Sequence, residues 1–310
     1  VAGEPDPLWA VLAPPHARAL RARLGLADED PIEVEFSGWS KRVVLTDSLA
    51  LLFPRDHHNV EPLAREARAL RAVASAGLGE VPRIVDEWDD PELSPYPILV
   101  VNRLRGQSLE DHLRDAALLK AVLERTAQLA ARWHTCDPVG ITSDRDFGTP
   151  IAALLDPTSP PDALAALGVD AKPSFVEAIQ FARTLDPVLL HGDLHEAQLL
   201  VDDQQLTGVI DWQTASLGHP YLEFNFGEWG TPIWRERRDD LPALRRVQWN
   251  AYSSARGLPA QHADVFEWVW CMHQLAVVLR NEANGSPHTD ITGTVAEARE
   301  AFDAASARVG

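Results

Sequence analysis

Apolar and polar positions alternate with a period of two soon after Pro31. Ile32, Val34 and Phe36 share one face, a polar turn Ser37-Gly38-Trp39-Ser40 follows, and apolar runs at 43–45 and 49–53 complete a three-strand meander. Two further strands are expected at 81–85 and 98–104, separated by a proline-punctuated turn. Between these groups Leu63, Ala67, Leu70 and Ala74 recur at helical spacing within 59–76, and Gly77 provides the stop. An amphipathic helix over 8–24, interrupted at Pro14 and Pro15, leads into the meander. From Ser108, whose pairing with Asp111 predicts a capping box, the pattern turns helical. Leu119, Val122, Leu123, Thr126, Leu129, Ala130 and Trp133 form a core-facing stripe, a short helix is expected at 175–182, and helices return over 230–310.

One stretch interrupts the helices. Residues 188–212 read V-L-L-H-G-D-L-H-E-A-Q-L-L-V-D-D-Q-Q-L-T-G-V-I-D-W, in which short apolar runs alternate with loops holding His191, Asp193, His195, Gln198 and Asp211. Asp193 and Gln198 are five apart and Asp211 follows after a second short strand, so one hairpin can bring all three to a point. Two carboxylates and an amide oxygen suit a hard cation such as Mg²⁺. His191, Asp193 and His195 also permit a second reading, a metallohydrolase cluster on a transition metal, although no H-E-x-x-H motif supplies further ligands. In a third reading the two histidines brace the loop around Asp193.

Composition narrows the choices. The 310 residues are enough for two lobes, and a formal charge of -18 argues against nucleic acid or an anionic membrane as partner. Such a field would steer a cationic small molecule, although an acidic surface mainly confers solubility. No apolar run is long enough to span a bilayer, and the first ten residues lack the basic start and apolar centre of a signal peptide. The two cysteines, Cys136 and Cys271, give no disulfide framework, so a cytoplasmic location is expected.

The central stretch resembles the catalytic and metal-binding loops of the aminoglycoside phosphotransferase and choline kinase family, relatives of protein kinases with the pattern H-G-D-x-x-x-x-N followed by I-D-[WF]. The resemblance implies an α+β, bilobal protein-kinase-like fold, with a small antiparallel-sheet lobe carrying one main helix over 1–101, a hinge at 102–107, and a larger, mostly helical lobe over 108–310. It implies a phosphotransferase with an alcohol group as acceptor, using ATP or GTP with Mg²⁺ on a small hydroxylated substrate. Asp193 then falls on the catalytic base, and Gln198 and Asp211 on the metal ligands. Ser37, Gly38, Ser40 and Lys41 fall on the loop covering the phosphates, Glu66 on the helix glutamate, and Asn102 and Leu104 on the segment meeting the adenine edge.

Several positions depart from the family pattern. Gln198 replaces the usual asparagine, and L-[RK]-x-P-R lies over Leu51-Leu52-Phe53-Pro54-Arg55, so Leu52 stands where a cation is expected and Arg55 is the nearest substitute. His219 and Glu223 stand in place of two aspartates beyond Asp211. Leu52 and Gln198 imply weakened activity and leave open a degenerate, nucleotide-binding pseudoenzyme of the same fold, whereas Glu223 is read as structural. Relatives act on aminoglycosides, macrolides, choline and homoserine; the aromatic residues and carboxylates after Gly230 are where the resemblance places the acceptor pocket.

Overall fold

The structure is a computed structural model and describes residues 14–35, 40–142, 172–224, 226, 232–259, 263–283, 285 and 294–309. Ser37 and Gly38 lie outside these residues. A helix, α1 (Pro14–Leu24), precedes five antiparallel strands: β1 (Glu33–Glu35), β2 (Lys41–Leu45), β3 (Leu49–Pro54), β4 (Ile84–Trp88) and β5 (Ile98–Asn102), in the order β1-β2-β3-β5-β4. Helix α2 (Val60–Ala74) connects β3 to β4. It starts after a 3₁₀ turn, His57–Asn59, whose backbone N–H groups are capped by Asp56.

Alternation decides which way the sheet faces. Val44, Leu51, Phe53, Ile98 and Val100 pack outward with Leu20 of α1 and Trp88, while Ala50, Leu52, Leu99 and Val101 join Leu63, Ala67, Leu70 and Val73 of α2 in the main core. The sheet is thus covered on both sides.

Helix α3 (Ala116–Trp133) is capped by the Asp115 carboxylate, which accepts from the N–H groups of Ala117 at 3.1 Å and Leu118 at 3.0 Å. Ser108 caps a separate 3₁₀ turn, Leu109–His112, its hydroxyl accepting from the Glu110 N–H at 3.2 Å, so the cap expected there opens a turn before the helix rather than the helix itself. All seven residues of the α3 stripe are buried. Among the described residues the helical region continues with α4 (Pro173–Ala182), α5 (Pro232–Arg237), α6 (Leu241–Arg256), α7 (Ala263–Ala283) and α8 (Val295–Val309), with α3 packed on α6 and α7 on α8.

Between α4 and α5 lie strands β7 (Val188–Leu190), β8 (Leu199–Asp202), β9 (Gln205–Val209) and β10 (Ser216–Gly218). β7 pairs with β10, and the β8–β9 hairpin gains a third strand from β6 (Gln107–Ser108). β6 was not legible as a strand because two residues carry no periodicity.

The close approach that β6 requires explains Gly106. Its φ is +137°, and a Cβ there would come within 2.6 Å of Thr207 Oγ1 and 2.9 Å of the Val201 carbonyl oxygen. Gly106→Ala therefore combines backbone strain with a clash, and a loss of about 1–3 kcal/mol is expected from denaturant unfolding. A midpoint unchanged from the parent would show that the linker does not press against the hairpin in solution.

Candidate active site

Residues from the sheet, α2, the linker and the central hairpin enclose a cleft of about 1480 Å³. Ser40, Lys41, Glu66, Asn102, Leu104, Asp193, Gln198 and Asp211 all line it; Arg55 does not. Of the residues singled out from the sequence, these eight are brought together, while Ser37 and Gly38 fall outside the described residues.

The hairpin supplies the acidic part. Strand β7 ends at Leu190 and delivers His191, Gly192 and Asp193; a 3₁₀ turn, Glu196–Gln198, carries Gln198 into β8; β9 ends two residues before Asp211. Asp211 occupies the left-handed region, φ 67° and ψ 60°, a conformation that an aspartate tolerates better than most side chains.

Both histidines of the loop are engaged in holding it. His191 is fully buried, its Nδ1 accepts from the Asp193 N–H at 3.3 Å, and its Nε2 donates to the Ile210 carbonyl at 2.9 Å. Burial pushes its pKa down to about 4, which keeps the ring neutral and both nitrogens committed. His195 Nδ1 accepts from the Ala197 N–H at 3.3 Å, and its Nε2 lies 3.3 Å from the Gln198 side-chain nitrogen. Among the described residues no group of three or more His, Cys, Asp and Glu side chains is arranged to hold a metal ion. The imidazoles thus give the metallohydrolase reading no ligand set, and the bracing role accounts for them.

The loop is held from behind by residues with little local signal in the sequence. The buried Glu223 carboxylate accepts from the His191 backbone N–H at 3.1 Å and lies 3.1 Å from Nε2 of His134, whose Nδ1 is 2.7 Å from the Tyr252 hydroxyl. Burial pushes the Glu223 carboxyl well above the usual carboxylate range and the His134 imidazole well below its ordinary value. Replacement of a family aspartate by Glu223 was visible in the sequence, but Tyr252, more than a hundred residues from His134, carried no local signal.

Lys41 occupies the centre of the opposing wall. Its Nζ donates to Glu66 and, at 2.8 Å, to Asp211 Oδ1. Glu66 in turn accepts from the Trp212 N–H at 3.3 Å, so α2 is tied to the segment that holds Asp211. Burial opposes charge on Lys41, but the two carboxylates outweigh it and hold the ammonium pKa above its ordinary value. For Asp211, burial is likewise outweighed by Lys41, and its pKa is lowered. Ser40 adds a further tie across the cleft, its hydroxyl donating to the Gln213 side-chain oxygen at 2.5 Å.

At the linker, the Asn102 backbone N–H donates to Arg83 O at 3.1 Å and its side-chain oxygen accepts from Arg83 N at 2.6 Å. The Asn102 amide is therefore committed within the sheet, whereas Leu104 faces the cleft. In the helical region Trp249, Phe266, Trp268 and Trp270 are buried core residues: Trp249 and Phe266 stack on each other and reach Tyr252 and Phe224, Trp268 packs against Phe175 and Phe302, and Trp270 lies under the Arg245 guanidinium. They form no described wall of the cleft.

The chemistry available follows from this arrangement. Asp193, Gln198 and Asp211 line the same cleft, and their side chains carry the oxygen donors that a hard cation such as Mg²⁺ takes. A buried cation faces that set.

Comparison with known proteins agrees with this geometry. Solved structures resembling the chain include aminoglycoside 2'-phosphotransferase-IIIa in its GDP complex, with 15% identity, 94% of this chain and 98% of that chain covered, and a TM-score of 0.59. An aminoglycoside phosphotransferase APH(2'')-Ib, ADP-bound, follows at 15% identity, covering 94% and 99% of the two chains with a TM-score of 0.53. A macrolide 2'-phosphotransferase type I shows 18% identity, 96% and 98% coverage, and a TM-score of 0.51. At such identities the likeness speaks for the protein-kinase-like fold. No curated protein sequence matches the chain. The model of the phosphotransferase enzyme family (APH) matches residues 33–269, most of the chain and every element of the cleft, and the chain belongs to that family.

Proposed function

We propose that this protein transfers the terminal phosphate of ATP or GTP to a hydroxyl group of a small molecule. The observation that carries the reading is the meeting of Asp193, Gln198, Asp211, Glu66 and Lys41 in a single cleft. Asp193 accepts the acceptor's hydroxyl proton or orients the attacking oxygen. Gln198 and Asp211 would hold Mg²⁺, which when bound neutralises charge between the phosphates. Leu104 offers backbone groups to the purine edge, and Val43, Leu45, Ala50 and Leu52 give the base an apolar surface.

The acceptor side is read from charge. Glu35, Glu110, Asp202 and Asp203 line the same cleft, which together with the formal charge of -18 favours a cationic acceptor such as an amino sugar or amino alcohol. Similar solved structures were determined with kanamycin or streptomycin, and the reading extends that chemistry to this chain.

A second reading, a degenerate nucleotide-binding protein, rests on Gln198. One additional methylene displaces the amide by about 1.5 Å, and a misplacement of order 1 Å can cost ~10² in rate. The pairing of Lys41 with Glu66 weighs against the other argument for it, the missing cation at Leu52.

The test is transfer of labelled phosphate from Mg²⁺–ATP or Mg²⁺–GTP to a panel of amino sugars, macrolides and amino alcohols, alongside thermal shift with each nucleotide. A raised unfolding midpoint and a labelled product are expected. A nucleotide shift without any transfer would favour the degenerate reading; no shift with either nucleotide would remove both.

A further inference from the structure

The family pattern marks strand β3 for the cation that pairs with the nucleotide phosphates, and Leu52 fills that place. We infer that the role has moved one strand over: Lys41 on β2 is the phosphate-binding residue, and Leu52 has become part of the apolar wall. The inference rests on the proposed nucleotide site and deepens it.

Register makes the move possible. In the β2–β3 pair Val43 lies opposite Leu52 and Lys41 opposite Pro54, so all four share one face of the ladder. Lys41 and Leu52 are therefore diagonal neighbours, separated by roughly 7–8 Å between backbone positions. A lysine side chain spans that distance, so either position can deliver an ammonium group to Glu66 of α2. Lys41, Val43, Leu45, Ala50 and Leu52 all face the cleft.

Donor count indicates what Lys41 is for. An ammonium group has three N–H donors and no acceptor. Two are used, on Glu66 and Asp211, and the side chain retains 11% exposure toward the cleft. The third donor is available to an oxygen arriving from the cleft side. That oxygen would join a cation already next to Asp211, the residue read as a metal ligand, which is where the phosphates of a bound nucleotide would lie. Arg55 cannot compete for this position, since it does not line the cleft.

The test is calorimetric titration of the full chain with Mg²⁺–ATP, Mg²⁺–GTP and the corresponding phosphate-free nucleosides. Loss of a charge-assisted hydrogen bond to phosphate should weaken triphosphate binding in Lys41→Met by roughly 10- to 100-fold and leave nucleoside binding unchanged. Because this variant strands two neighbouring carboxylates, Lys41→Met/Glu66→Gln is measured beside it, with thermal unfolding to show that it is folded. The transposed variant Lys41→Leu/Leu52→Lys should recover most of the triphosphate affinity.

Triphosphate affinity equal to the parent's in a folded Lys41→Met/Glu66→Gln variant would overturn the inference. So would equal weakening of triphosphate and nucleoside. A parent chain that binds no nucleotide would instead remove the functional reading beneath it.

Discussion

Asp193→Asn is expected to reduce turnover by ~10²–10⁴-fold while leaving nucleotide affinity little changed. The substitution is isosteric and the backbone around it is fixed independently of the side chain. The N–H of residue 193 donates to His191 Nδ1, His191 is anchored on Ile210 O, and Glu223 holds the His191 N–H from the other side. The loop should therefore keep its shape, and what is lost is a carboxylate able to accept the acceptor hydroxyl's proton. Steady-state kinetics with an acceptor found in the transfer screen provides the measurement, and titration with Mg²⁺–nucleotide separates chemistry from binding. Turnover retained at the parent rate would sink the assignment of Asp193 as base.

The second large effect is on stability. Arg245 of α6 and Glu267 of α7 form a two-pronged ion pair, with Nε to Oε2 at 2.9 Å and Nη2 to Oε1 at 2.6 Å, and both residues are buried. The guanidinium also lies over the Trp270 ring at 3.9 Å, and Glu267 is held ionised against burial mainly by Arg245. Removing one partner leaves an uncompensated charge in the core. Glu267→Ala should cost about 3–5 kcal/mol, a large share of the roughly 5–15 kcal/mol that holds a domain together. Replacing both with apolar residues of similar volume, Arg245→Met/Glu267→Leu, removes the stranded charge and should recover most of that loss. Urea unfolding at constant slope measures both variants; a Glu267→Ala midpoint close to the parent's would show that the pair contributes little.

How much of this was legible in the sequence depends on the range of the signal. Strands β7 and β8 could be read from short apolar runs and the α3 stripe from helical spacing, and hairpin geometry alone pointed to Asp193, Gln198 and Asp211 on one cleft. Glu66 could be placed by its position on a periodic helix. Its partner could not, because choosing among Lys41, Leu52 and Arg55 requires knowing which face of the sheet each side chain takes, and hence the register between β2 and β3. A motif aligned by position points to Leu52; a motif aligned by space points to Lys41. The same limit hid the contact among Glu223, His134 and Tyr252, which joins three distant segments through the core. Aromatic residues after Gly230 were legible as large apolar groups, but not which cavity, if any, they would border. Burial places Trp249, Trp268 and Trp270 inside the helical region.

The linker between sheet and helices is fastened at both ends. Arg103 N–H donates to Ser48 O at 2.8 Å on the sheet side, and Arg105 O accepts from the Thr207 hydroxyl at 2.6 Å on the hairpin side, leaving Leu104 between the two anchors. A rocking motion of one half against the other would concentrate its torsion at that one residue. In the proposed function a purine ring would settle against Leu104, so a base seated there would brace the joint between its two anchors.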